Sequence, residues 1–349
     1  MMRRISVPAV ERRDPFSKIL VRTLLLSGGL IYLAPFAWMV ATSLKTESAV
    51  FRFPPEWLPR VAVTGAFEKP VVEFNGQRGI ELTRTDQWVY AVPETALENV
   101  LDEKELESLT EAVPIESVTQ VRVLDAQWGN YLRALTRFPF HRYAMNTLFI
   151  SVLVVIGTIL SCCVPAYGFS RLQWRGRDAM FVFVLATLMI PGSVVLLPQF
   201  ILFRKLGWIG TFAPLIVPHF FGNAFDIFLF RQFFMTIPRE LSDAGRVDGA
   251  SELRILFQMI MPLSKPVIAT VALMTFMYCW LDFLGPLVYI TDERMYTLAL
   301  GLEQFLGRHG SDWSGLMSAA TATVAPVIVL FLLIQRLFVQ GIALTGMKG

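Results

Sequence analysis

Long apolar stretches alternate with short polar segments along most of the chain. Six of these stretches approach the roughly 20 residues that an α-helix needs to cross the hydrocarbon core of a bilayer. They are residues 19–43, 143–169, 178–203, 210–233, 266–290 and 315–339. The pattern predicts an all-α polytopic membrane protein with six transmembrane helices. The first stretch is longer than the apolar core of a cleavable signal, so we expect it to stay as an anchor.

The connection between the first two predicted spans, residues 44–142, departs from this pattern. Apolar and polar side chains alternate there around Asn75 and Gly76, a dipeptide typical of a hairpin turn. The predicted elements are a hairpin over residues 61–91, a helix over 95–112 and a strand over 117–124. We therefore expect a small inserted α/β domain over residues 60–126. It could help to seat a substrate-delivering protein, or it could be a decoration without a role in transport.

Basic side chains cluster on one side of the predicted spans, and such clusters mark cytoplasmic loops. The clusters are Arg3, Arg4, Arg12, Arg13, Lys18 and Arg22 before the first span, Arg171, Arg175 and Arg177 in the second connection, and Arg231, Arg239, Arg246, Arg254 and Lys265 in the fourth. We therefore expect the segment 1–18, the loop 236–265 and the tail 340–349 in the cytoplasm. The long first connection is expected on the outside.

Composition supports a membrane protein. The 349 residues are 54% hydrophobic and 17% charged, which is more apolar than a soluble core of this length normally requires. The net charge is only +3, so the chain is not expected to bind nucleic acid. Cys162 and Cys163 lie in the second predicted span and Cys279 in the fifth. We therefore expect neither disulfides nor a metal site.

The loop 236–265 is polar and lies between two predicted spans. Asp248 and Gly249 form a turn signal, and Ser251 can cap a following helix. We therefore predict two short helices that meet at Gly249. The two prolines of the sequence MPLSKP are predicted to end the second helix.

Small side chains surround this predicted bend. Ala244, Gly245, Gly249 and Ala250 leave the backbone accessible to another protein, while charged neighbours keep the rest in water. Such a loop on a membrane protein is typical of a docking site for a soluble partner. The alternative is an amphipathic helix pair that rests on lipid headgroups.

The loop resembles the EAA loop in the membrane subunits of bacterial ATP-binding-cassette (ABC) importers. Asp243, Ala244 and Gly245 stand where the family has Glu-Ala-Ala, Gly249 is the spaced glycine, and Ile260–Pro262 closes the motif. The sequences FRQFF and DGASELR are similar to those of sugar-type permeases. The sequence WLDF resembles the family motif Trp-Asn-Asp-Phe, with leucine in place of asparagine. Over most of the chain the resemblance is to the second permease of maltose-type importers.

This resemblance implies that the loop docks an ATPase. The implied docking residues are Glu240, Asp243, Ala244, Gly245, Asp248, Gly249, Ala250 and Pro262. It also implies that this chain binds no cofactor, because ATP and Mg belong to the partner ATPase. The implied partners are a second permease subunit, two cytosolic ABC ATPase subunits, an extracytoplasmic solute-binding protein and the lipid of a bacterial inner membrane. The implied solutes are sugars or oligosaccharides, with polyols and glycerol phosphates close behind.

Polar side chains within the spans are costly and usually face a cavity or a partner. The candidates for a translocation path are Asn146, Asn223, Asp226, Trp280, Asp282 and Phe283, with Gln199 and His219 as further polar residues. Asp282 is the main candidate, because the aromatic faces beside it suit sugar rings and its carboxylate accepts hydroxyl hydrogen bonds. The alternative is that Asp282 caps a helix near the outer interface. His219 is interpreted as a packing residue, not a metal ligand.

The sequence contains no GxxxxGK[ST] phosphate loop, no HExxH motif and no nucleophile elbow. We therefore expect a transport subunit and not an enzyme. Two alternatives remain open at this point. One is an intramembrane enzyme that uses Asp226, His219 or Asp282, and the other is a passive channel or a scaffold.

Overall fold

The computed structural model describes residues 15–99, 106–307 and 310–346. Its α-helices are α1 (Pro15–Ser43), α2 (Glu47–Val50), α3 (Gly129–Arg137), α4 (Phe140–Arg171), α5 (Arg177–Ala186), α6 (Gly192–Lys205), α7 (Ala213–Ile216), α8 (Ala224–Thr236), α9 (Arg239–Val247), α10 (Glu252–Ile255), α11 (Met261–Leu263), α12 (Lys265–Leu281), α13 (Leu284–Tyr289), α14 (Leu298–Gly301) and α15 (Trp313–Gly346). The chain divides into two compact units. One runs to Asn130 and includes Trp313–Ser318, and the other comprises Tyr131–Asp312 with the residues from Ala319 onward.

The first unit contains helix α1 and a small sheet, so the inserted sheet exists. Its strands are β1 (Arg60–Ala62), β2 (Val71–Phe74), β3 (Gln77–Arg84), β4 (Trp88–Pro93), β5 (Glu111–Pro114), β6 (Thr119–Gln120) and β7 (Arg122–Leu124). The main sheet has the order β5-β4-β3-β2-β6, and β1 pairs separately with β7. All of these pairings are antiparallel. The sheet buries Val72, Phe74 and Val89 in a core of its own.

The hairpin predicted at Asn75 and Gly76 is confirmed. Strands β2 and β3 pair in a register that places Phe74 opposite Gln77. Asn75 and Gly76 form the two-residue loop between them, with φ of 50° and 77°. Two successive positive φ values define the turn type whose twist matches the flanking strands, and Asn-Gly is its preferred sequence.

The helix predicted over residues 95–112 is absent from the described part of that range except at Leu106. Glu94–Asn99 and Glu107–Leu109 are 3₁₀ turns, and Glu111–Pro114 is strand β5. Residues 100–105 lie outside the described residues. Pairing of β5 along β4 satisfies its backbone groups and buries Val113, so tertiary contacts override the local helical pattern. The described part of the insertion is therefore mainly β-structure.

Helix α1 exposes a nearly continuous apolar surface. Most of its side chains from Ile19 onward are exposed and hydrophobic, among them Leu24, Leu25, Leu30 and Ile31. A helix that is apolar on all sides is typical of a lipid-facing span. Polar contacts begin where this helix ends. The Asn130 amide donates to the carbonyl oxygen of Ser43 over 2.8 Å.

Helix α15 begins at a long-range cap in the first unit. The Glu47 carboxylate accepts hydrogen bonds from the backbone N–H groups of Trp313, at 2.9 Å, and Ser314, at 3.3 Å. It also accepts one from the Ser314 hydroxyl, at 2.9 Å. The first N–H groups of a helix lack partners within the helix, and a carboxylate also interacts favourably with the helix dipole there. Glu47 therefore fixes where α15 starts.

Helix α4 is the centre of the second unit. It packs against α8 and α12, and Cys162, Ala166, Phe230, Phe234 and Val271 are buried where the three meet. These are large apolar side chains beside small ones, which lets the helices interdigitate. The core of the unit thus lies around the C-terminal half of α4.

The third predicted span, residues 178–203, is not one straight helix. Helix α5 leads into a 3₁₀ turn that ends at Met189, and α6 then departs at 93°. Pro191 causes the break. A residue before proline is pushed towards extended backbone, and Ile190 has ψ of 116°. The pair is a broken span or a re-entrant loop by its geometry.

The fourth and fifth predicted spans are interrupted as well. A 3₁₀ turn, Val217–Phe221, precedes Gly222, whose φ is 79°, and α8 starts after Asn223. In the fifth span, α12 ends at Leu281 and the chain resumes as α13. Both breaks contain residues that can form local hydrogen bonds in place of the helical ones.

Within the described residues, four helical stretches are long and apolar enough to cross a membrane: Ile19–Ser43, Phe140–Arg171, Ala213–Thr236 and Trp313–Leu333. Two bent pairs meet the same criterion when each is counted as one span. They are Arg177–Met189 with Gly192–Lys205, and Glu252–Leu263 with Lys265–Leu281, which is bent by 83°. The apolar helices therefore support a multi-pass membrane protein with four to six spans.

Candidate functional site

The candidate docking loop, residues 236–265, begins where α8 ends. Arg171 binds the backbone carbonyl groups at this junction. The Arg171 guanidinium donates to the carbonyl oxygens of Phe234 at 2.5 Å, Ile237 at 2.6 Å and Pro238 at 3.3 Å. The last carbonyl groups of a helix lack partners within it, and a cation there also interacts favourably with the helix dipole. Arg171 is 8% exposed. The sequence marks it only as a basic residue at a span end.

Two helices meet at Gly249, as predicted. Helix α9 ends in a Schellman motif: the Gly249 N–H donates to the Arg246 carbonyl at 3.0 Å, and the Ala250 N–H to the Gly245 carbonyl at 2.9 Å. This motif requires a left-handed residue, and Gly249 has φ of 74°. No heavy atom lies within 4 Å of where its Cβ would be, so the turn is open to solvent.

The second loop helix starts at Ser251, whose hydroxyl accepts from the Arg254 N–H at 3.4 Å. It continues from α10 through a π-helical turn, Leu256–Ile260, into α11. This second loop helix ends at Leu263, between the two prolines as predicted, and the chain bends by 83° before α12. Pro262 lies inside α11, and Pro266 lies in the first turn of α12. A proline fits the first turn of a helix because its missing N–H would have no helical partner there.

Gly245 does not face outward, contrary to the expectation that it exposes backbone to a partner. It is buried, and a Cβ there would lie 3.0 Å from the Met259 sulfur and 3.1 Å from Cγ1 of Ile255. Its small size therefore lets α9 pack against the second loop helix. Ala244 and Asp248 are exposed, and Ala250 is half-buried.

Ion pairs join the two loop helices across the turn. Arg246 donates to Asp243 at 2.7 Å and to Glu252 at 2.8 Å. The hydrogen bond to Glu252 is the main reason that the pKa of Arg246 lies above its usual range. Exposed ion pairs contribute little each, yet a pair of carboxylates on one guanidinium fixes its geometry. The turn between the two loop helices, residues 246–252, is the elbow of the loop, and these ion pairs hold it from both sides.

The outer surface of the loop carries exposed apolar side chains between charged ones. Val247 is 88% exposed, and Leu241, Leu253 and Phe257 are exposed as well. Glu240 is also exposed. Apolar side chains that are exposed singly are common on protein surfaces, so these residues add contact area to the loop without identifying a partner by themselves. They are not among the small and charged residues that the sequence pattern indicates for docking.

A cavity of about 570 Å³ lies within the second unit. Its polar lining consists of Ser193, Gln199, His219, Asn223, Tyr278, Cys279, Asp282, Tyr289 and Thr297. Three helix breaks border it, those at Pro191, Gly222 and Asp282. The structure therefore brings together four sequence candidates, namely Gln199, His219, Asn223 and Asp282.

An adjoining cavity of about 370 Å³ shares His219, Asn223 and Tyr278 with the first and also contains Asp226. Asp226 and Asn223 form a reciprocal cap at the start of α8. The Asp226 N–H donates to the Asn223 side-chain oxygen at 2.9 Å, and the Asn223 amide donates to the Asp226 carboxylate. This arrangement satisfies two polar groups at a helix N-terminus. Both residues thus combine a structural role with a place in the cavity wall.

Asn146, Trp280 and Phe283 lie outside the linings of both cavities. The Asn146 amide donates to the carbonyl oxygens of Arg294 and Tyr296, both at 3.0 Å. The buried Trp280 indole donates to the Thr323 carbonyl at 2.9 Å. Asp282 accepts from the Gly285 N–H at 3.1 Å, so it both caps a helix and lines the cavity. The aromatic lining comes from Phe203, Tyr278 and Tyr289 in the larger cavity and from Phe225 and Tyr278 in the smaller one.

Residues 154–344 match the family of binding-protein-dependent transport system inner membrane components. This match covers more than half of the chain and includes the loop and every cavity-lining residue except Ile150. The chain belongs to this family. Because members of the family are transport subunits whose ATPase is a separate partner, this permease subunit is not an enzyme.

Relatives of this permease subunit include sugar transport proteins. It is 34% identical to the arabinooligosaccharides transport system permease protein of Halalkalibacterium halodurans, over 58% of this chain and 73% of that protein. It is 31% identical to the trehalose/maltose transport system permease protein of Thermococcus litoralis, over 63% and 81%. It is 33% identical to the sn-glycerol-3-phosphate transport system permease protein of Pectobacterium atrosepticum, over 58% and 73%.

The fold of the permease subunit is similar to that of a solved importer subunit. The match is to a chain of a bacterial ABC transporter involved in the import of the acidic polysaccharide alginate, with a TM-score of 0.63. It covers 95% of this chain and 99% of that chain at 20% sequence identity. The helical fold with its inserted sheet is therefore that of an ABC importer permease.

Proposed function

We propose that this permease subunit forms half of the translocation path of a sugar or oligosaccharide importer in a bacterial inner membrane. The braced elbow at Gly249, within the family match, is the observation that carries this proposal. Two relatives that support the solute class are named for arabinooligosaccharides and for trehalose and maltose. The glycerol-phosphate relative marks the nearest alternative solute class.

The proposed assembly pairs this subunit with a second permease subunit. Two cytosolic ABC ATPase subunits hold ATP and Mg, and each docks on one loop. An extracytoplasmic solute-binding protein delivers the solute. Closure of the ATPases on ATP then moves the loops and converts an inward-open path into an outward-open one. The docking surface would comprise the exposed or half-buried residues Glu240, Asp243, Ala244, Asp248, Gly249, Ala250 and Pro262, and the buried Gly245 would support the loop from within.

In the proposed topology the bent pair Arg177–Met189 with Gly192–Lys205 forms one span and Lys265–Leu281 forms another, which together with the four long helices gives six. The N-terminal segment 1–18, the loop 236–265 and the C-terminal tail 340–349 would lie in the cytoplasm, where the basic residues cluster. The sheet insertion within 60–126 would then lie outside. In this topology the loop, with its exposed charges, would meet a soluble partner and not lipid.

The proposed solute class can be tested on the assembled complex. We expect oligosaccharides, presented with the solute-binding protein, to raise the ATP turnover of purified complex in lipid nanodiscs. Polyols and glycerol phosphates serve as the comparison set, and amino acids as the negative control. Stimulation by a solute without sugar or polyol character, in the absence of any response to oligosaccharides, would contradict the assignment.

We further propose that the two adjoining cavities form part of the translocation path. Their hydroxyl, amide and carboxylate groups can exchange hydrogen bonds with solute hydroxyl groups. Tyr278 lines both cavities and is 65% exposed. Tyr278→Phe removes one hydroxyl, so we expect the KM for uptake to rise about fivefold, the equivalent of about 1 kcal/mol.

The control for Tyr278→Phe is Tyr32→Phe in α1, which is 82% exposed and lies outside the cavities. Uptake of radiolabelled solute into proteoliposomes gives KM and maximal rate for both variants. Equal KM values for Tyr278→Phe, Tyr32→Phe and the parent protein would exclude contact between this hydroxyl and the solute.

A further inference from the structure

Tyr167 connects the second span to the loop by a partly buried hydrogen bond. It lies near the end of α4 and is 3% exposed. Its hydroxyl donates to Oε2 of Glu252 at 2.5 Å. A hydrogen bond between a buried hydroxyl and a carboxylate is among the stronger kinds in proteins. The end of α4 is thus joined to the first turn of the second loop helix.

Glu252 is the junction of this network. Its carboxylate accepts from Tyr167 and also from Arg246, whose Nε lies 2.8 Å from Oε1. Arg246 in turn donates to Asp243. One carboxylate therefore links three segments: the span helix α4, the first loop helix α9 and the second loop helix that begins with α10.

Arg171 provides a second connection from the same helix. It lies four residues after Tyr167, which places both side chains on one face of α4. Arg171 binds the carbonyl groups at the entry to the loop, and Tyr167 binds the loop beyond the turn at Gly249. Helix α4 therefore holds the loop on both sides of its elbow, and a displacement of the elbow acts on α4 at two points.

The same helix forms part of the cavity walls. Thr158 lines the smaller cavity and Ile150 the larger one. At 1.5 Å per residue, these positions lie about 14 Å and about 26 Å along the helix from Tyr167. A continuous helix thus spans the distance between the loop and both cavities.

We propose that Tyr167 and Glu252 are positioning residues that transmit movement of the loop to the cavity walls through α4. This inference depends on the proposed docking of the ATPase on the loop. It gives the Tyr167–Glu252 hydrogen bond a role that is distinct from docking, since neither residue belongs to the proposed docking surface. Without this hydrogen bond the ATPase still binds the loop. Movement of the loop then displaces the cavity walls less, so fewer solute molecules are transported per ATP hydrolysed.

The test is Tyr167→Phe in the complete transport complex, reconstituted in proteoliposomes. Three quantities are measured: ATPase subunit recovered with the permease, ATP hydrolysed, and solute transported. We expect normal recovery of the ATPase and a fall of at least about threefold in solute transported per ATP, since one strong hydrogen bond is lost. Tyr32→Phe is the matched control and should leave the ratio unchanged.

The ratio of solute transported to ATP hydrolysed distinguishes a role in transmitting movement from a role in folding alone. Loss of folded protein lowers the amount of active complex but leaves the solute moved per ATP unchanged. Glu252→Ala provides a second variant at a half-buried site, where truncation leaves no large cavity. It should lower the ratio similarly, and Tyr167→Phe combined with Glu252→Ala should be no worse than Glu252→Ala alone.

A normal ratio in Tyr167→Phe or in Glu252→Ala would overturn the transmission role while leaving the docking proposal intact. Loss of ATPase recovery in Tyr167→Phe would also overturn it, because the residue would then act in docking. Failure of the docking proposal itself has a different signature, which is normal ATPase recovery when the exposed turn at Gly249 is blocked.

Discussion

Gly249→Trp is expected to abolish uptake while leaving the permease subunit in the membrane. Gly249 is exposed at the tip of the elbow, with open space around its missing side chain. An indole there would occupy the surface proposed to meet the ATPase, and blocking the centre of an interface weakens binding by about 2 kcal/mol or about thirtyfold. Recovery of the ATPase with affinity-purified permease measures the effect.

Gly249→Trp also introduces backbone strain, and this effect has to be distinguished from the steric block by the indole. Gly249 has φ of 74°, and any larger residue is disfavoured there. Asparagine tolerates this conformation better than other non-glycine residues, so Gly249→Asn is the matched control. We expect Gly249→Asn to retain most ATPase binding. Normal ATPase recovery and uptake in Gly249→Trp would refute the docking role of the loop.

Arg171→Ala is expected to lower the free energy of unfolding by about 3 kcal/mol, because it removes a charged donor from buried carbonyl groups. The carbonyls of Phe234 and Ile237 would lose their shortest side-chain hydrogen bonds. The entry to the loop would then lose its attachment to α4. Thermal unfolding of the detergent-solubilised protein measures the change as a lower Tm and a smaller folded yield.

Arg175→Ala is the control, because Arg175 is exposed and lies in the same connection. It should leave the Tm unchanged. Arg171→Lys should give an intermediate Tm, since a single ammonium group cannot reproduce the planar fork of donors. A Tm for Arg171→Ala equal to that of Arg175→Ala would show that these hydrogen bonds do not stabilise the loop entry.

Local signals predicted the turns correctly. Asn75 and Gly76 form the hairpin, and Asp248, Gly249 and Ser251 give the two loop helices, because each of these turns is determined by residues close in sequence. Apolar runs likewise predicted where long helices lie. Pro191 and Gly192 are kink signals in the sequence, but the size of the bend between α5 and α6, 93°, does not follow from hydrophobicity or from the two residues alone.

Contacts between distant residues could not be predicted in this way. The partners of Tyr167 and Arg171 lie more than 60 positions further along the chain. Gly245 illustrates the same limit, since its small size serves packing inside the loop and not exposure. The sequence identifies candidate cavity residues only by the type of their side chains. The structure shows that Gln199 and Asp282 line a cavity, whereas Trp280 is buried elsewhere and binds the Thr323 carbonyl.

The three helix breaks at Pro191, Gly222 and Asp282 converge on one cavity. Side chains of the cavity wall cap two of these breaks, because Asn223 accepts from the Asp226 N–H and Asp282 accepts from the Gly285 N–H. Each of these side chains therefore holds a helix end as well as presenting polar atoms to the cavity. Replacing either one changes the shape of the cavity together with its hydrogen-bonding groups.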